Sequence, residues 1–73
     1  MKLTETEKII LENTDEEYKY IARDSDGYLY IFREKPIKKD RQWYLDFSWS
    51  EFTHFNHLFQ DIKWEDEEPY KFR

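Results

Sequence analysis

Apolar and polar positions change period several times along the chain, and each change predicts an element. Near the N-terminus Leu3 and Ile10 fall on one helical face with Ile9 beside it. Thr4 and Glu7 have capping-box spacing, in which a hydroxyl and a carboxylate reciprocally satisfy free backbone amides. Glu5 and Glu7 also place negative charge where the helix dipole favours it, and Asn13-Thr14-Asp15 ends this first helix. Its apolar stripe is narrow, so it adds little stability alone. Tyr18-Lys19-Tyr20-Ile21-Ala22-Arg23 and Tyr28-Leu29-Tyr30-Ile31-Phe32-Arg33 are rich in rings and β-branched residues and flank Asp24-Ser25-Asp26-Gly27. This predicts a β-hairpin, with a type I turn closed by Gly27 in the left-handed region. Both faces of the hairpin are partly apolar, so each needs a covering layer.

The connection 33–41 is charged, and Pro36 prevents it from being a central strand. Trp43, Leu45 and Phe47 alternate with Tyr44 and Asp46, which predicts a third strand with a ring-heavy inner face. Ser48 and Glu51 repeat the capping-box spacing. Trp49, Phe52, Phe55, Phe59 and Ile62 come after them at three- and four-residue steps with Leu58 on the flank, which predicts a second, amphipathic helix. Ile62-Lys63-Trp64 reads as a short extended piece, and Glu65-Asp66-Glu67-Glu68 as an acidic run closed by Pro69. The expected fold is therefore one α+β domain spanning 1–73. Its order is helix-strand-strand-strand-helix: a small three-stranded antiparallel sheet packed with two short helices around an aromatic-rich core.

Composition explains why rings recur at the expected core positions. The 73 residues include six Ile and five Leu but no Val, while six Tyr, six Phe and three Trp make up 21% of the chain. Each large ring removes roughly 150–250 Å² from water, so a few replace a larger aliphatic core. The 40% of charged residues would suggest disorder, but disordered segments are poor in aromatics. No apolar run approaches the ~20 residues needed to cross a bilayer. Met1-Lys2-Leu3-Thr4-Glu5 contains no apolar stretch, so no signal peptide is expected. The absence of cysteine excludes disulfides, thiolate zinc sites and thiol catalysis, and a reducing cytoplasm is the simplest setting. An unstapled core with surplus rings also admits a homodimer.

Charge is unevenly spread. The net charge of −5 divides into −4 over residues 1–17, +3 over 18–41 and −4 over 42–73. This balance argues against generic affinity for nucleic acid. Two surfaces nevertheless invite a functional reading. Arg33, Lys35, Lys38, Lys39 and Arg41 lie near Trp43, Tyr44, Tyr30 and Phe32, the ingredients of a single-strand-binding surface. Glu34 and Asp40 dilute that patch, and a solvated loop protecting a sheet edge is the plainer reading. The second surface is acidic with aromatic flanks, Trp64, Glu65, Asp66, Glu67, Glu68 and Tyr70, and a solvated acidic turn is its plainer reading. Trp and Tyr often dominate interfaces, and long-range charge would speed association with a basic protein.

Weaker patterns yield no chemistry. His54, His57 and Asp61 could face one way on a helix, but the histidines read as rim residues opposite the Phe stripe, and no metal or cofactor is expected. Asp24-Ser25-Asp26-Gly27 lacks the third ligand of a calcium loop and reads as a turn. There is no nucleophile triad, phosphate loop or carboxylate pair to single out, so no catalytic residue is assigned and the chain is read as a non-enzyme.

The stretches Tyr20-Ile21-Ala22-Arg23-Asp24 … Asp26-Gly27-Tyr28-Leu29 and Phe55-Asn56-His57-Leu58-Phe59 … Ile62-Lys63-Trp64-Glu65-Asp66-Glu67-Glu68-Pro69, with Lys35-Pro36 and Trp43 between them, resemble small uncharacterised proteins of phages and prophages of Gram-positive bacteria. The resemblance implies a phage origin and a bacterial cytoplasm, and implies no activity. The expectation is a protein-binding module for a host or phage partner, an acidic modulator of a nucleic-acid enzyme. The alternative is a nucleic-acid accessory protein using residues 33–44. No membrane partner is expected.

Overall fold

The computed structural model describes residues 3–73. Helix α1 spans Glu5–Glu12 and opens with the expected capping box: Glu7 N–H donates to Thr4 Oγ1 (3.1 Å) and Thr4 N–H to Glu7 Oε1 (3.0 Å). Its docking face differs from the sequence pattern. Glu7 and Leu11, four residues apart, are the buried pair, Leu3 and Ile10 are partly buried, and Ile9 faces outward. The second oxygen of Glu7 explains why a carboxylate sits inside. Oε2 accepts the amide of Phe59 at 2.7 Å, so one side chain caps the helix and binds a distant loop.

The hairpin forms as expected. Strands β1 (Tyr20–Arg23) and β2 (Leu29–Phe32) pair antiparallel, with Ile21 opposite Ile31 and Ala22 opposite Tyr30. In the turn Gly27 has φ of +91° and donates to the Asp24 carbonyl at 2.9 Å. The alternation sorts side chains cleanly. Ile21, Leu29 and Ile31 pack on α1 and on Phe52, Phe59 and Ile62, while Ala22 and Phe32 pack on Trp43 on the other face.

The sheet corrects the expected architecture. It has four strands, in the order β5 (Trp49–Glu51), β2, β1, β6 (Tyr70–Lys71), and a separate two-stranded sheet joins β3 (Ile37–Lys38) to β4 (Trp43–Tyr44). The strand expected over Trp43, Leu45 and Phe47 is thus only two residues long and lies outside the main sheet, with Phe47 66% exposed. The third strand against the hairpin is β5 (Trp49–Glu51), antiparallel to β2, and β6 (Tyr70–Lys71) pairs with β1 on the far edge.

Among the described residues α1 is the only α-helix, so the expected second helix is absent. Ser48, placed as its cap, has φ of +68°, and the residues after it are strand. Beyond β5 the chain makes a 3₁₀ turn at Thr53–Phe55 and then a run of three-residue turns: Leu58 N–H bonds to Phe55 O and Ile62 N–H to Phe59 O. Such turns leave many carbonyls without helical partners. Arg23 supplies them: its guanidinium donates to the carbonyls of Asn56, Leu58, Phe59 and Ile62, and also to Gly27, at 2.6–3.0 Å. The apolar stripe still finds the core, since Phe52, Phe59 and Ile62 are all buried. Trp49 does not; its ring lies on the opposite face of the sheet. The Ile62-Lys63-Trp64 piece is not a strand: the chain bends at Ile62 and enters a turn at Trp64. Among the described residues no helix is long and apolar enough to cross a membrane. The Cα radius of gyration, 11.0 Å, matches the ~11 Å of a folded chain this long.

Candidate functional site

The two surfaces singled out from sequence meet in space and partly consume each other. Lys38 Nζ donates to the backbone carbonyls of Trp64 (2.5 Å) and Asp66 (2.8 Å) and lies 4.3 Å above the Trp64 ring and 5.4 Å from the Trp43 ring. Lys35 pairs with Glu68 at 2.6 Å, a bond that raises the lysine's pKa. Of the other basic residues, Arg33 lies over Tyr18 with Glu17 at 3.5 Å, and Lys39 lies over Tyr44. Arg41 uses its carbonyl to accept from Ser25. The cations thus point to several separate partners rather than forming one track.

Within the acidic run Asp66 turns back to accept the amide of Lys63, while Glu65 and Glu67 are exposed. The aromatic flanks serve the interior. Trp64 is half-buried and meets Trp43 edge-on at 6.4 Å, and Tyr70 packs against the main core from β6. His54 and His57 are exposed, and among the described residues no three potential ligands are grouped to hold a metal ion.

A ring-lined concavity borders Trp43. A cleft of about 210 Å³ opens between the main sheet and residues 42–46, walled by Tyr30, Phe32, Trp43, Tyr44 and Trp49. Strand register builds it: Phe32 stands opposite Trp49 across β2–β5, which places Tyr30, Phe32 and Trp49 on one face. The Tyr30 and Trp49 rings meet at 5.7 Å with a 73° interplanar angle, forming a corner of two perpendicular rings. Tyr44 and Trp49 remain 41% and 48% exposed at its rim.

Two carboxylates line this cleft, Asp24 and Asp46. Asp46 is held by the Tyr44 hydroxyl, and that bond raises the tyrosine's pKa. Asp24 is 7% exposed, and its Oδ1 accepts the Trp43 amide at 2.9 Å. Burial pushes its pKa up, the Trp43 N–H opposes that, and nearby Asp26 adds to it. Among the described residues no cation lies within ion-pairing distance of Asp24. The phenol of Tyr30 is raised by burial and then by Asp24, Asp26 and Glu51, which marks the local field as negative.

The rings grouped from sequence beside the basic loop, Tyr30, Phe32, Trp43 and Tyr44, do come together here. The sequence pattern misses the fifth wall, because helical spacing puts Trp49 elsewhere, and it misses the carboxylates Asp24 and Asp46. Comparison with known protein families, curated proteins and solved structures gives no match.

Proposed function

We propose that this protein is a non-catalytic binding module for a basic protein partner, of phage or prophage origin, acting in the bacterial cytoplasm on a host or phage nucleic-acid enzyme. The observation that carries the reading is the ring-walled cleft with a buried carboxylate that no cation among the described residues pairs with. Half-exposed rings beside negative charge are the composition of a docking surface, because rings supply contact area and charge supplies orientation and rate. Glu65 and Glu67 extend the negative field, and the net charge of −5 acts in the same direction.

The test is fluorescence anisotropy of a labelled Arg/Lys-rich peptide over a salt series, with a labelled single-stranded oligonucleotide in parallel. The peptide is expected to bind and to weaken steeply with salt. Glu65→Gln with Glu67→Gln should slow association while leaving the folded state unchanged. A peptide that stays unbound at low salt would overturn the reading, as would tighter binding of the oligonucleotide through Arg33, Lys35, Lys38, Lys39, Arg41 and Trp43.

A further inference from the structure

We infer that the cleft between β2, β5 and residues 42–46 receives the guanidinium of a single arginine side chain from that partner. The inference rests on the protein-binding reading above and names the group its cleft takes.

Size comes first. At about 210 Å³ the cleft is smaller than the roughly 300–1,000 Å³ of sites that enclose a whole small ligand, but it can hold one side-chain end. The ring arrangement then selects a cation. Tryptophan faces are the strongest cation–π acceptors, and a corner of perpendicular rings offers one face for stacking and one for lateral contact. Rings elsewhere and two of the cleft's own walls already carry an internal cation: Arg33 on Tyr18, Lys38 on Trp64 and on the wall ring Trp43, Lys39 on the wall ring Tyr44, Arg73 on Phe72. Among the described residues no such contact is made to Tyr30 or Trp49. Lys38 and Lys39, 5.4 Å from the Trp43 centroid and 5.6 Å from the Tyr44 centroid, do not line the cleft.

The carboxylates decide between a cation and a neutral apolar group. An apolar occupant would complete the burial of Asp24 and leave its charge uncompensated, which is expensive. A cation removes that cost. Guanidinium fits better than ammonium because it is planar, stacks on rings and directs several N–H groups toward carboxylates at once.

The experiment is a two-dimensional NMR titration of the intact protein with N-acetyl-arginine methylamide, using the citrulline derivative as neutral isostere. The arginine derivative should shift the Trp49 indole and the Tyr30 and Tyr44 signals saturably, and citrulline should bind about tenfold more weakly, the size expected of a charge-assisted contact. Trp49→Ala and Asp46→Asn should each weaken binding on the order of three- to tenfold. Both positions are exposed, so the variants should keep the native spectrum elsewhere. Equal shifts by arginine and citrulline would overturn the assignment. So would equal binding of the basic peptide by wild type and the doubly substituted protein, a result that leaves the protein-binding reading standing. Saturable arginine shifts in the cleft without any peptide binding would uphold the cleft and remove that reading.

Discussion

Asp24 joins folding to the candidate site. It ends β1, begins the hairpin turn and reaches across to the Trp43 amide, so it positions the wall of the cleft it also lines. Burial raises its pKa in the folded state. The linkage therefore runs opposite to that of a paired carboxylate. Asp24's contribution is fully present below the ordinary carboxylate value and is lost as pH rises through its higher folded value. Asp24→Asn keeps an oxygen to accept from Trp43 and abolishes that ionisation. Urea unfolding of both proteins from pH 3 to 7 should show the variant gaining stability relative to wild type as pH rises. A constant difference across that range would contradict the assigned environment.

At the scale of elements, two identical spacings ended differently. Thr4–Glu7 caps a helix; Ser48–Glu51 does not. Residues 49–51 pair with β2 instead, and the chain reaches that register only by turning through a left-handed conformation at Ser48. Local capping is worth about 1 kcal/mol, and a strand that completes one edge of a sheet and brings Phe52 into the core outweighs it. The two readings of Ser48 predict opposite signs for one substitution. Ser48→Gly at a helix cap would cost a few tenths of a kcal/mol, whereas at φ +68° it should stabilise by roughly 0.5–1 kcal/mol through relief of backbone strain. Chemical denaturation measures this directly. The helix, the hairpin and its turn were legible because each is specified by neighbours within a few residues. The sheet edges were not, since β5 and β6 are short and gain their stability from β2 and β1.

For the whole molecule, cations on irregular backbone take over work that a second helix would have done internally. Arg23 satisfies the carbonyls of Asn56, Leu58, Phe59 and Ile62, Lys38 those of Trp64 and Asp66, and Arg73 those of Leu11, Asp15 and Tyr18. Charge-assisted bonds of this kind are stronger than neutral ones, which suits a domain whose core is small. Removing residues 69–73 would delete β6, the Tyr70 and Phe72 contacts and the Arg73 clamp together. Differential scanning calorimetry of that truncation should show no cooperative transition at 25 °C or above. Lys35→Ala, which breaks only the exposed pair with Glu68, should leave the transition where it was.

Local patterning alone determined the first helix and its cap, and the hairpin with apolar residues on both faces. These depend on propensity and on spacing within a turn or two. The tertiary structure decided the fate of Ser48, the turn away from Trp49, the mutual engagement of basic loop and acidic run, and the cleft itself. Each of those depends on groups far apart in the chain, and their energies become unequal only after the sheet has brought them together.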